Sequence, residues 1–187
     1  MKTLLLLRHA KSQWPDGVGR NEAARAQALE TLDDHARPLT DGGIEAAEKL
    51  ARSALPALPT PALILCSSAT RARQTLAAVR QLTWGGAKVE TERGLYVCGP
   101  AKLKARLKRV DDGIDTVAIV AHNPDLHLLA QELAVNGKKK LRAALAEKFP
   151  TGALAAIVLP IDRWADLEGA EGTLEALVFP KELPDLR

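Results

Sequence analysis

At several places in this sequence a short apolar run ends in side chains that can bind or attack a phosphoryl group. Leu4–Leu7 runs directly into Arg8-His9, Ala62–Cys66 is followed by Ser67-Ser68 and then Arg71, and Val117–Ala121 runs into His122-Asn123-Pro124. A lone arginine or histidine at such a place is usually solvated or paired with a carboxylate. Two of each, all following apolar runs, make a set with a chemistry of its own. Arginine offers a planar, permanently charged fork that matches phosphate oxygens, and a neutral imidazole nitrogen is a competent nucleophile toward phosphorus. Two guanidiniums, a second imidazole and helix N-terminal amides can neutralise the equatorial oxygens of a transferring phosphoryl group, and such a set requires no metal.

The elements that must position this set are legible from periodicity. Leu4–Leu7, Ala62–Cys66, Val117–Ala121 and Ala153–Leu159 lack polar alternation, which suits strands covered on both faces; Thr173–Phe179 reads as one further strand, at an edge. Helical spacing appears between them, in Ile44, Ala47, Ala51 and Ala54, in Ala72, Leu76 and Val79, in Leu103, Leu107 and Val110, and in Leu126, Leu129, Ala130 and Leu133. Strands alternating with helices predict an α/β fold of three layers, with a mostly parallel central sheet and helices on both faces. Ligands of such sheets bind at the carboxyl ends of the strands, where the arginines and histidines lie. Asn123 is expected to cap a helix Pro124–Val135, with Asn136-Gly137 as its stop. Residues 13–38 read as a long excursion over the site, and Ala23–Leu32 within it as a short helix that could form a lid. The chain as a whole, 1–187, reads as one domain.

Composition narrows the function classes. With 47% apolar and 26% charged residues in 187, the chain is globular rather than disordered. A net charge of +3, with three Trp, one Tyr and two Phe, gives no reason to expect a nucleic-acid surface. The N-terminal apolar run is far too short for a signal core or for the ~20 residues of a membrane span, so a cytoplasmic protein with no membrane partner is expected. Cys66 and Cys98 match neither zinc nor redox spacing and read as buried, reduced thiols; no metal and no cofactor are expected.

The stretches LLLLRHAKSQWPD, RPLTDGG (Arg37–Gly43), SSATRARQT (Ser67–Thr75), VAHNPDL (Val120–Leu126) and KFPTGALAAIVLP (Lys148–Pro160) resemble the histidine phosphatase superfamily, also called phosphoglycerate mutase-like. Within it they are most similar to the SixA-like phosphohistidine phosphatase branch. The resemblance implies that His9 is the nucleophile that becomes phosphorylated, that Arg8 grips the phosphoryl oxygens, and that Arg71 and His122 complete the phosphate pocket. Ser12 lies near the same loop, as a donor to phosphate or as a turn serine. Ala10 stands where many members carry Gly, as in the phosphohistidine branch. At the place where mutases and many phosphomonoesterases carry a carboxylate general acid, the chain has Val97. Glu92, through a shifted alignment, or Asp16 could supply that acid, and Asp34 is a further carboxylate of the excursion. An imidazole of pKa near ~6.5 leaves far more easily than an alkoxide, so a phosphohistidine phosphatase can dispense with the acid.

The expected activity is dephosphorylation of protein phosphohistidine through a phosphohistidine intermediate. The alternatives are a phosphomonoesterase for small metabolite phosphates, and a noncatalytic phosphate- or phosphoprotein-binding module in which His9 would have no purpose. The expected partner is a phosphohistidine-bearing protein or a small phosphorylated substrate, and phosphate- or sulfate-like anions fit the same pocket. His35 and His127 read as structural. The basic groups Lys102, Lys104, Arg106, Lys108 and Arg109, and Lys138–Lys140 with Arg142, read either as solvated helix faces or as a docking surface for an acidic partner.

Overall fold

The alternation of apolar runs and helical periods builds a layered α/β structure, seen in a computed structural model that describes residues 1–15, 18, 21–30 and 32–184. Among the described residues, the strands β1 (Lys2–Arg8), β2 (Leu63–Ser67), β3 (Lys88–Glu92), β4 (Thr116–Ala121), β5 (Asn136–Gly137), β6 (Leu154–Leu159) and β7 (Thr173–Val178) form one seven-stranded sheet in the order β3-β2-β4-β1-β6-β7-β5. The helices are α1 (Glu22–Leu29), α2 (Asp41–Ser53), α3 (Thr70–Arg80), α4 (Pro100–Leu107), α5 (Asp125–Leu133) and α6 (Lys139–Glu147). None is long and apolar enough to cross a membrane.

The sheet is mixed. β3, β2, β4 and β1 run parallel, whereas β6 is antiparallel to both β1 and β7, and the short β5 pairs parallel with β7. The parallel half brings several carboxyl ends to one edge. β1 is covered on both faces, as its unbroken leucines require. Leu4 and Leu6 enter a core with Leu103 and Leu107 of α4, Leu126 and Leu129 of α5 and Leu145 of α6. Leu5 and Leu7 enter a second core with Leu50 of α2 and Ala72, Leu76 and Val79 of α3. All four leucines are fully buried, each stabilising the fold by about 1.5–3 kcal/mol.

A run of identical leucines does not by itself fix strand register, because a one-residue slip exchanges leucine for leucine on both faces. The polar ends do so. The buried Lys2 reaches Asp115 Oδ1 at 2.9 Å and the Asp112 carbonyl, and the His9 N–H donates to the Ala121 carbonyl at 3.0 Å.

The structure departs from the sequence expectations at definable places. β7 is not an edge, because Asn136-Gly137 pairs with it as β5 instead of stopping a helix; α5 ends earlier, at Leu133. β3 reads Lys-Val-Glu-Thr-Glu and has no apolar run, which fits a strand with a partner on one side only. The basic segment after Gly137 forms α6, which buries Leu145 alone. α1 overlaps the predicted Ala23–Leu32 helix, beginning one residue earlier and ending at Leu29, and buries none of its residues.

Candidate active site

The register of the parallel strands sets the site. Arg8 is level with Ala121 and Cys66 with Val120, so Arg8-His9, Ser67-Ser68 and His122 leave the sheet side by side. The His9 carbonyl accepts from Gly152 N–H at 3.0 Å. Gly152 has φ +74°, and a Cβ there would press on the Pro180 ring, so the glycine serves both conformation and space. The backbone after His9 is tied to α3, since Ala10 N–H donates to Thr75 Oγ1 at 2.9 Å and the Thr75 hydroxyl donates to the Arg71 carbonyl at 2.7 Å.

The candidate side chains His9, Arg71 and His122 are buried and Arg8 partly so, and each is directed. His9 Nδ1 lies 2.7 Å from the Ala10 carbonyl, which can only accept, so Nδ1 carries the proton and Nε2 holds a lone pair. Arg71, in the first turn of α3, points its Nε–H at that nitrogen across 3.3 Å. Arg8 donates through Nη1 to the Phe149 carbonyl at 2.8 Å. The His122 ring centroid is 5.1 Å from that of His9, and its Nε2 is 2.8 Å from Ser67 Oγ. Among the described residues, the buried side-chain polar atoms with no hydrogen-bond partner are Arg8 Nε, His122 Nδ1 and Asn123 Oδ1. All belong to this constellation. Leaving such a group unsatisfied costs about 1–3 kcal/mol, so the two unpartnered ring and guanidinium nitrogens, Arg8 Nε and His122 Nδ1, point to a ligand that accepts hydrogen bonds, whereas Asn123 Oδ1 can only accept one.

Electrostatics keep both imidazoles neutral. The pKa of His9 is lowered to about 2, by burial first and then by the neighbouring His122 and the charges of Arg71 and Arg8, although its bond to the Ala10 carbonyl opposes the shift. That of His122 is lowered to about 3, again by burial first and then by Arg71. Burial and the neighbouring Arg71 bring even Arg8 down to about 10, still charged near neutrality.

The excursion contributes more than sequence reasoning assigned to it. Its 3-10 turn Asp34–Ala36 places Asp34 against Arg71, whose Nη2 donates to Oδ2 at 2.9 Å and whose Nη1 donates to the Asp34 carbonyl. Asp34 Oδ2 also accepts from the Tyr96 hydroxyl, and Oδ1 accepts from Arg37 Nε at 2.7 Å. Arg37 in turn reaches Ser12 Oγ at 3.2 Å and lies over the Trp14 ring. Ser12 is thus tied to the base of the excursion, with its hydroxyl proton left for another acceptor. His35, read from sequence as structural, packs on Tyr96 beside the site, with Nε2 2.8 Å from Ser68 Oγ. His127 does pack structurally, with Nε2 near the Leu145 carbonyl and its ring stacked on Phe149.

Val97 and Glu92 both face away from this set. Val97 is 56% exposed with φ 44°, a left-handed backbone rare for a β-branched residue, and it is the preceding Tyr96 that turns inward. The Glu92 carboxylate accepts from Arg106 Nε at 2.7 Å. Asp16 lies outside the described residues. Asn123 does not cap α5 as expected: Pro124 is the cap residue, and the Asn123 amide is drawn instead to the Phe149 carbonyl at 2.8 Å, which Arg8 also uses. Of the basic groups on α4 and at its C-cap, Lys104 and Lys108 pair with Glu168, and Arg106 pairs with Glu90 and Glu92. Lys138–Lys140 are exposed. The Cys66 thiol is buried and pushed up to about 12, and Cys98 is partly buried.

Known proteins share this architecture. The family model of the histidine phosphatase superfamily (branch 1) matches residues 4–96. The uncharacterized protein Rv1276c of Mycobacterium tuberculosis is 34% identical over 177 residues, covering 94% of this chain and 100% of its own. A solved structure named "Putative Phosphohistidine Phosphatase SixA" from Nakamurella multipartitia is 28% identical, with a TM-score of 0.77 and 96% of both chains covered. A protein of the same name from Agrobacterium tumefaciens is 26% identical with a TM-score of 0.73, covering 96% of this chain and 98% of its own. Fold, motif and relatives agree, and the chain belongs to the histidine phosphatase superfamily, branch 1.

Proposed function

We propose that this protein is a phosphohistidine phosphatase that works through a phosphorylated His9. The observation that carries the reading is the fixed tautomer of His9, whose Nδ1–H is held by the Ala10 carbonyl while Nε2 faces the guanidinium of Arg71. A phosphoryl group entering there takes over the Arg71 Nε–H that now points at His9, and exposes phosphorus to the lone pair. Arg8 Nε and His122 Nδ1, buried and otherwise unpartnered, then donate to the equatorial oxygens. An anion beside His122 Nδ1 selects the tautomer with the proton on that atom, and Nε2 accepts from the Ser67 hydroxyl.

In the first step His9 Nε2 attacks phosphorus in line, and the P–N bond of the substrate breaks with its electron pair going to the departing imidazole. Water then attacks the phosphoenzyme and releases phosphate. The low basicity of His9 serves this cycle twice: it keeps Nε2 unprotonated for attack, and it makes His9 a ready leaving group in the second step. The solvent-facing Val97 supports a phosphoramidate over an ester, since no carboxylate stands at that position to protonate an alkoxide. The names of the Nakamurella and Agrobacterium proteins point the same way.

The test is turnover of phosphohistidine, phosphoramidate and a panel of alkyl phosphates by one preparation, with trapping of labelled phosphate. Phosphohistidine is expected to be preferred, and the label to be found on His9 and lost in His9→Ala. A preference for alkyl phosphates, or label on another residue, would overturn the reading.

A further inference from the structure

His35 is a histidine of the site that neither attack on phosphorus nor the grip on its oxygens uses. It is partly buried on the outer side of the phosphate-binding set. Its Nε2 is 2.8 Å from Ser68 Oγ, at the turn from β2 into α3, and its backbone N–H donates to Asp33 Oδ1 at 3.1 Å. The Tyr96 ring stands between His35 and His122, edge-on to both, with centroids 5.0 Å and 5.3 Å away. The titratable and charged groups around it are therefore Asp33 and Asp34 on its own turn, Tyr96 after β3, His122 after β4, and Arg71, which Asp34 holds.

The chemistry of the leaving group calls for a proton at a place set back from phosphorus. A phosphorylated imidazole whose far ring nitrogen is bare must depart as an imidazolate anion. One whose far nitrogen is protonated departs as neutral imidazole. His9 already meets this condition, because its Nδ1–H is anchored on the Ala10 carbonyl while Nε2 bonds phosphorus. The substrate ring needs the equivalent proton, and it needs it one ring-width beyond the bond that breaks. A carboxylate at the Val97 position would instead serve the bridging atom of an ester. Other proton carriers at the rim are committed: Asp34 is ion-paired with Arg71 and Arg37, and the Tyr96 hydroxyl donates to Asp34. An imidazole can give up a proton and recover it near neutrality.

We propose that His35, coupled to the Ser68 hydroxyl, delivers a proton to the far ring nitrogen of the departing imidazole, an inference that rests on the phosphohistidine reading above. The proton on His35 Nε2 passes to Ser68 Oγ as the Ser68 hydroxyl proton passes to the substrate ring. The electron pair of the broken P–N bond stays with that ring, which leaves neutral. His35, left neutral, regains its proton from the water that hydrolyses phosphorylated His9. Ser68 is unchanged over the cycle.

The experiment compares free phosphohistidine with an N-phosphoryl-N′-methylimidazolium salt, whose leaving ring carries a permanent positive charge and needs no proton. At about pH 7, kcat/KM of His35→Ala on phosphohistidine is expected to fall by roughly 100-fold, and the methylated substrate to lose at least about tenfold less. Ser68→Ala, which leaves His35 itself unchanged, is expected to show the same selective loss. Equal losses on both substrates, or no loss on either, would overturn the role of the pair. A parent enzyme that turns over neither substrate would instead overturn the phosphohistidine reading itself.

Discussion

Asp34 shows how one side chain can be central to a site without acting as its acid. Burial works to raise its pKa, but the Tyr96 hydroxyl, Arg71 and Arg37 together outweigh burial and hold it down at about 2. A carboxylate so held has no proton to give. What it does is fix the guanidinium of Arg71 by a second point of attachment, so that the Nε–H stays directed at His9. Asp34→Asn removes the charge from both ion pairs, and is expected to cost about 1–3 kcal/mol of stability in urea unfolding. It is also expected to lower kcat/KM by roughly tenfold or more through loss of an oriented donor. Glu92→Gln is the contrasting substitution, because the Glu92 carboxylate is engaged by Arg106 on α4. It should leave kcat/KM within about twofold, as expected of a substitution outside the site. A large loss in Glu92→Gln with none in Asp34→Asn would mean that the excursion only covers the site and that the acid lies on β3.

The elements that carry the site were legible where both faces of a strand are covered, and illegible where one is not. Leu4–Leu7, Ala62–Cys66 and Val117–Ala121 announce β1, β2 and β4 by unbroken apolar character, and Arg8, His9, Arg71 and His122 follow from their ends. β3, half exposed at the sheet edge, leaves no such mark. Tyr96 carries no signal in the sequence, because the chain has already left β3 in a 3-10 turn and periodicity no longer says which side chain points inward. Asp34 and His35 sit in a segment with no period at all, and their approach to Arg71 and Ser68 depends on long-range ties such as Arg37 to Ser12 and Gln13. The entry to α2 holds the same loop from the other side. Thr40 Oγ1 accepts from Gly43 N–H at 3.0 Å to cap the helix, and a Cβ on Gly43 would overlap the Lys11 carbonyl, two residues beyond His9. Gly43→Ala is therefore expected to destabilise by about 1–3 kcal/mol and to lower activity by shifting the backbone that bears His9, the proposed nucleophile. At Gly42 a Cβ meets nothing within 4 Å. Gly42→Ala, the control in the same turn, is expected to be neutral or to stabilise by up to about 1 kcal/mol, read by thermal unfolding and kcat.

At the scale of the whole molecule, two apolar cores hold in place a sheet edge whose buried groups are almost all cationic or kept from becoming so. This arrangement favours an anion and disfavours acid. In the unfolded chain both His9 and His122 take up protons near their ordinary value of 6.5, whereas in the fold they resist until about 2 and about 3. The unfolded state thus binds more protons over this interval, so stability is at its full value above 6.5 and falls as pH drops toward 3. Each imidazole can contribute a slope of up to about 1.4 kcal/mol per pH unit. Asp34, lowered from 3.8 to about 2, adds its own loss only below that upper value. Urea midpoints measured between about pH 7.5 and 4.5 should therefore fall steadily in the parent, ahead of any carboxylate titration. In His122→Asn the fall should be shallower over the same range, because one of the two buried imidazoles is gone. Saturating inorganic phosphate should also flatten it, since a bound anion favours the protonated ring and offsets the cost of burying it. Parallel slopes in parent, variant and phosphate-bound protein would mean that the imidazoles already exchange protons with solvent in the fold, and that the low basicity on which the proposed attack by His9 depends is absent.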